Sequence, residues 1–283
     1  MEQLARGGYI RVARFIFRML EWVYHTAITA NNLAAFYEEY LLAKRDSQYE
    51  NKWKRIDITT IKHYYLVSYH RQHNVKAACS LGYLSFKEQR YKKALFYYKK
   101  ALKIKESPQL FFNIAVQYLY LEKYDHALFY LSKGQPFLTH EAKKQADLLL
   151  IYIHAVNGDK FLAREYFRDY IKTNQSVDMD LLHLAYLCQE YDYIDRHCLS
   201  ISRDSSLQIK DVEVVICTLR MVGKEKLVAY FIRQCIINPH YLGQDRWEKQ
   251  CQKVLEMVEK KELPQYLPKL YVEPIIHKKM YIK

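Results

Sequence analysis

The chain has 283 residues, enough for one large core or two domains, and its 7 glycines and 6 prolines suit long uninterrupted helices and argue against a glycine loop that cradles phosphate. The 6 cysteines form no Cys-x-x-Cys pair and the uncharged runs are too short to span a bilayer, so a reduced, soluble, cytoplasmic protein is expected. The formal net charge of +13 is uneven: residues 1–74 carry +4, 75–175 carry +8 and 176–283 carry +1.

After the Gly7-Gly8 pair, Ile10 to Ala30 reads as one helix, with Val12, Phe15, Ile16, Met19, Trp22 and Val23 along one side and Arg11, Arg14 and Arg18 along another. A second helix is expected from Leu33 to about Arg45, then a polar connection from Asp46 to Arg55, then a helix from about Thr59 to His70. Residues 1–74 would serve as an N-terminal helical cap that hides the apolar end of the next segment.

From residue 75 the chain repeats itself at a period near 34 residues. A compact residue at Gly82, Ala115, Ile151, Ala185 and Cys217 is followed twelve positions later by Ala94, Ala127, Ala163, His197 and Ala229. Such a period marks helix-turn-helix units that bury their apolar faces only by stacking on neighbours. Alanine where the helices cross allows close approach, and a larger side chain there overpacks the contact, whereas Ser85, off the crossing, should tolerate leucine.

These residues resemble the pattern of the tetratricopeptide repeat superfamily. The first unit carries Leu81, Gly82, Tyr91, Ala94, Tyr98, Ala101 and Pro108, and the second Ile114, Ala115, Tyr118, Tyr124, Ala127, Leu131 and Gly134. The third keeps Gly158-Asp159, Ala163, Phe167 and Tyr170, the fourth puts His197 in the alanine position, and the fifth keeps Gly223, Ala229, Ile236 and Pro239. The resemblance implies an all-α, right-handed superhelical solenoid of helix-turn-helix repeats with helical caps. About five repeats would occupy 75–240, the first two matching best, with a C-terminal capping helix over 241–261 and an extended, proline-containing tail over 262–283. That tail places Leu270, Val272 and Ile275 among other apolar residues on a segment unable to bury them alone. Either it lies back on the repeats as an internal stand-in for a partner, or it docks on another protein.

No metalloprotease, nucleophile-elbow, phosphate-loop or dinucleotide signature is present, so an enzyme is not expected, nor is a cofactor or a metal. His63 and His70 are about 10 Å apart along a helix axis, too far to share an ion, and in the acidic cluster Asp178, Asp180, Asp192 and Asp195 the first or second can cap a helix start. In the repeat family the first helix of each unit lines a concave groove. The corresponding residues here include Lys76, Tyr83 and Phe86 in unit one, Phe112, Asn113 and Tyr120 in unit two and Tyr152 in unit three. An inner Asn113 can donate and accept at once, which suits the backbone of an extended peptide, with the aromatic rings offering apolar pockets.

Lys92, Lys99 and Lys103 share a face of the second helix of unit one, on the convex side, and read as a solvated face or as a docking strip for an acidic partner. The function expected is that of a protein-protein interaction module, as adaptor, chaperone or scaffold, holding a partner peptide in its groove. The alternative is a nucleic-acid- or anionic-membrane-associated factor that uses the basic strip and the N-terminal arginine helix.

Overall fold

The computed structural model describes residues 10–42, 58–174, 179–205, 207–241, 244–259 and 270–275. The Gly7-Gly8 pair, the connection 46–55, Asp178 and most of the tail therefore lie outside the described residues, as does the side chain of Arg11. Among the described residues all regular structure is helical, and the chain divides into two compact units, Met1–Ala142 with Glu273–Lys283, and Lys143–Val272. No helix among them is long and apolar enough to cross a membrane.

The first unit opens with α1 (Ile10–Tyr24) and α2 (Ala27–Phe36), the latter running on into a π-helical turn over Tyr37–Leu42. The single helix expected from Ile10 to Ala30 is thus two. Its break is a capping event: His25 adopts a left-handed backbone (φ 44°), and Thr26 caps α2 by accepting from the Thr29 N–H at 3.1 Å while Thr29 reaches back to the Thr26 N–H at 3.0 Å. Glu21 ties the corner down, accepting from Thr29 Oγ1 and from Arg71 Nη1, each at 2.7 Å. The inward face of α1 also differs from the expected one. Ala13, Phe17 and Glu21 are buried, whereas Val12, Phe15, Met19, Trp22 and Val23 are exposed, Trp22 by 74%.

Helix α3 (Ile58–Gln72) buries Ile61 and Tyr65 in a core shared with α2 and with α4 (Val75–Lys87) through Leu33, Phe36, Leu81 and Leu84. Tyr65 donates to Glu38 in the π-helical turn at 2.8 Å, so this buried carboxylate has a partner. The hairpin α4/α5 (Tyr91–Ile104) is followed by α6 (Pro108–Tyr120) and α7 (Tyr124–Gly134). Gly82 allows the Tyr98 ring to lie directly on α4, since a Cβ at this position would sit 2.9 Å from that ring. Ser85 contradicts its sequence-based reading: it is 1% exposed, donates to Leu81 O at 2.7 Å, and has no room for leucine.

In the second unit, α8 (His140–Asn157) pairs with α9 (Lys160–Thr173), α10 (Met179–Leu187) with α11 (Tyr191–Ile201), and α12 (Ile209–Met221) with α13 (Glu225–Ile236). Helix α14 (Asp245–Glu259) follows, anchored by Trp247 Nε1 donating to Cys235 O at 2.9 Å and by Tyr241 stacked on Trp247 at 4.3 Å. One apolar core runs from Ile151 to Val254. Within it His183 Nε2 and Asp211 Oδ1 are 2.7 Å apart, with the two side chains 4% and 1% exposed, and Asp211 Oδ2 also accepts from the Gln208 N–H at 2.7 Å to cap α12.

All five hairpins turn in the same way. A residue in left-handed conformation, Gln89, Glu122, Gly158, Gln189 or Gly223, ends the first helix. The next N–H returns to the carbonyl five residues earlier: Arg90 to Ser85 (2.9 Å), Lys123 to Tyr118 (2.9 Å), Asp159 to His154 (2.9 Å), Glu190 to Ala185 (2.8 Å) and Lys224 to Leu219 (2.8 Å). This Schellman geometry satisfies carbonyls that the helix end leaves open, and glycine adopts its left-handed residue without steric cost at Gly158 and Gly223.

Five residues after each left-handed residue, the fourth residue of the following helix is buried: Ala94, Ala127, Ala163, Ile194 and Val228, none more than 3% exposed. The register read from alanine alone holds for the first three hairpins and fails for the last two. His197 is only half-buried and Ala229 is exposed, because Ile194 and Val228 take the crossing position.

Candidate functional site

Two helices of the first unit carry the site, and their N-termini are set by side-chain caps. Asn74 accepts from the Lys76 N–H at 3.0 Å to start α4, and Ser107 accepts from the Leu110 N–H at 3.3 Å to start α6, with Pro108 at a position that needs no N–H. The helices meet through Phe86 and Tyr120, whose rings are 5.3 Å apart, and Tyr91 stacks on Tyr120 at 4.8 Å.

Across α4 and α6 lies a segment from the far end of the same chain. Residues 273–275, which belong to the same unit as these helices, have no regular structure and alternate in exposure, Pro274 being buried between half-buried Glu273 and Ile275, as an extended strand does when one side faces inward. Asn113, 0% exposed, donates from Nδ2 to Ile275 O at 3.1 Å and accepts at Oδ1 from Ile275 N at 2.6 Å. One carboxamide thus satisfies both backbone groups of one residue, as a neighbouring antiparallel strand does.

Two residues earlier, Glu273 receives two donors from α4. Tyr83 Oη donates to Oε2 at 3.2 Å and Lys87 Nζ to Oε1 at 2.8 Å. Burial, with the Glu273 charge adding to it, pushes the Tyr83 hydroxyl above the usual tyrosine range, which keeps the proton that this contact uses. One turn beyond Asn113, Gln117 is buried and donates from Nε2 to Asn113 O at 3.3 Å. Its Oε1 has no hydrogen-bond partner among the described residues.

Of the residues expected in the groove, Tyr83 and Asn113 are brought together on this segment. Phe86 and Phe112 are buried at 2% and 0% exposure, Tyr120 is half-buried in the ring cluster, and Lys76 is half-buried in the first turn of α4. Tyr152 belongs to α8 and packs, half-buried, against the core of the second unit. Lys87 and Gln117 were not among the expected residues, although each lies four positions after one that was, and so on the same helix face.

The basic strip needs correction. Lys92 and Lys103 are exposed, but Lys99 is half-buried, donates to Tyr118 Oη at 2.8 Å and lies 5.2 Å from the centre of that ring. The hydrogen bond to Tyr118 holds its ammonium above the ordinary lysine range, against an opposing effect of burial. Lys99 therefore joins α5 to α6 and is not part of a solvent-facing row.

Among the described residues no three His, Cys, Asp or Glu side chains gather as they would around a metal ion. The cysteines are free, and burial pushes the thiols of Cys79, Cys188 and Cys251 up to about 12. Asp195 of the acidic cluster pairs with Lys224.

No family model matches the chain, and no curated protein does. Fourteen chains among the solved structures match it. One is YrrB, described as a TPR protein with an unusual peptide-binding site; it is 15% identical, with a TM-score of 0.45, over 83% of this chain and 96% of that one.

Proposed function

We propose that this chain is a protein-interaction module, an adaptor, chaperone or scaffold without chemistry of its own, that holds an extended segment of a partner protein across α4 and α6. The observation that carries this reading is the two-way contact between Asn113 and the backbone of Ile275. A carboxamide used in this way recognises peptide backbone whatever its side chains, so a partner segment can take the same place. The excess of positive charge in residues 75–175 supports an acidic partner, and the free, mostly buried cysteines suit a reducing cytoplasm.

The test is binding to an array of extended peptides, followed by calorimetry on the best of them. In a chain whose own tail is displaced by Glu273→Lys, Asn113→Ala is expected to weaken binding by about 1–3 kcal/mol, the cost of leaving a buried peptide group unpaired, with little change in thermal stability. Unchanged affinity would remove the site from these helices.

A second reading rests on the exposed Phe15, Met19, Trp22 and Val23 of α1, with Arg18 exposed on the same helix. Aromatic and basic groups side by side suit an anionic membrane surface. Vesicle flotation with phosphatidylserine against phosphatidylcholine tests it: retention on the anionic vesicles that is lost in Trp22→Ala/Phe15→Ala favours this reading, and equal absence from both vesicles ends it.

A further inference from the structure

We infer that Glu273-Pro274-Ile275 is an internal copy of the groove's external ligand, and that this ligand is an extended peptide with a carboxylate side chain two residues before the residue held by Asn113. The inference rests on the peptide-binding reading above and adds to it a register, a side-chain preference and a resident competitor.

Three observations carry it. The first is a division of labour between the two helices. Among the described residues the Asn113 carboxamide on α6 hydrogen-bonds to the main chain of the segment and so does not select a side chain, whereas Tyr83 and Lys87 on α4 converge on the two oxygens of one side chain. A charged acceptor with two donors is the strong kind of hydrogen-bonded contact, and it rejects an uncharged or basic replacement more sharply than a backbone contact does. In an extended strand, residues i and i+2 are separated by about 6.6 Å. The carboxylate site and the carboxamide site are thus matched to one spacing, which sets the register of whatever lies there.

The second observation is Pro274. It stands between the two contacts and is buried. Proline has no N–H to leave unpaired, and its ring holds the backbone in the extended region, so it lowers the ordering cost of this tripeptide. The third is Gln117. Its buried Oε1, one turn from Asn113, has no partner among the described residues. An acceptor left unpaired at 0% exposure is costly, and a ligand backbone N–H would satisfy it. Residues 270–275 leave this acceptor unused, as expected of a replaceable occupant.

Because the segment is part of the same chain, its effective concentration at the groove is high, and an external peptide must displace it. The experiment uses the full-length protein, its Glu273→Lys variant, in which a second cation faces Lys87, and a fluorescent peptide of residues 270–280. Anisotropy is expected to show binding to Glu273→Lys at least about tenfold tighter than to the unmodified chain. The same peptide with Glu273→Gln is expected to bind the opened variant about fivefold or more weakly. Lys87→Glu in a chain that keeps its own Glu273, where like charges now oppose the resident tail, should abolish the preference for the acidic peptide and favour a peptide with Glu273→Lys.

Equal affinity for the acidic and amide peptides, with binding still lost in Asn113→Ala, would overturn the carboxylate register and leave the groove standing. Failure of the opened variant to bind any peptide, with Asn113→Ala inert in every assay, would overturn both. Equal affinity of the unmodified and Glu273→Lys chains would remove the tail as competitor. A concentration-dependent dimer of the unmodified chain that dissociates in Glu273→Lys would instead assign the site to the tail of a second copy, and also overturns the inference.

Discussion

The hairpins of the first unit and the last two of the second solve the same packing problem with different residues. In α5 and α7 the crossing position holds Ala94 and Ala127, and in the first of them the close approach is filled by a ring one turn further along the same helix, Tyr98, lying on Gly82 of α4. In α11 and α13 the same position holds Ile194 and Val228, and the branched side chain itself fills the space. The turns do not differ: Gln89, Glu122, Gln189 and Gly223 all take the left-handed conformation, and the buried residue follows each by five positions. The backbone geometry of the turn is therefore the constant of the repeat, and residue size at the crossing is adjusted against its neighbours.

The most severe way to break this comparison is to empty the large crossing residue. Ile194→Ala should cost about 2–5 kcal/mol in chemical denaturation, by lost burial and the cavity left behind. Ala229→Leu, at an exposed position next to Val228, should stay within about 0.5 kcal/mol. Comparable losses for the two would show that α13 is one residue out of register.

Filling the small crossing residues is the converse. Ala94→Leu and Ala127→Leu should each destabilise by about 1–3 kcal/mol through overpacking, read as a shift of the urea midpoint without a change in slope.

The smallest effect sharpens the contrast at the hairpin boundary, where Lys99 joins α5 to α6. Tyr118→Phe removes the hydroxyl that receives the ammonium and should cost about 0.5–1.5 kcal/mol. The lysine's folded pKa is raised, so its contribution is full below the ordinary lysine value and is lost only as pH rises through the higher folded value. The difference between the two proteins should accordingly be the same at every pH from about 5 to 9.

The helical class and three of the five crossings were legible because period and alanine coincide there, at Ala94, Ala127 and Ala163. At Ile194 and Val228 they do not, and carrying the twelve-residue spacing forward led to His197 and Ala229. The interruption of α1 was hidden for a different reason: apolar periodicity runs through Tyr24-His25-Thr26 unbroken, while the decisive event is a pair of threonine hydroxyls three residues apart. At the site, Asn113 was legible as an amide on an inner helix face. Lys87 was not, since it begins a lysine-rich stretch that reads as solvated, and its partner Glu273 is 186 residues away. Contacts at such separation leave no periodic trace in either segment.

The buried pair of His183 and Asp211 bears on how the second unit comes apart. Asp211 serves two hairpins at once, capping α12 while meeting a histidine of α10. If α10 frays alone, a carboxylate 1% exposed loses its hydrogen-bonding neighbour, a cost that adds to the loss of the apolar contacts around it. A stack of repeats held only by apolar faces can melt one unit at a time, with each boundary costing its own contact area. Here that boundary carries an extra penalty, so the two hairpins are expected to unfold as one cooperative block, with amides of α10 and α12 exchanging with solvent in a single common opening.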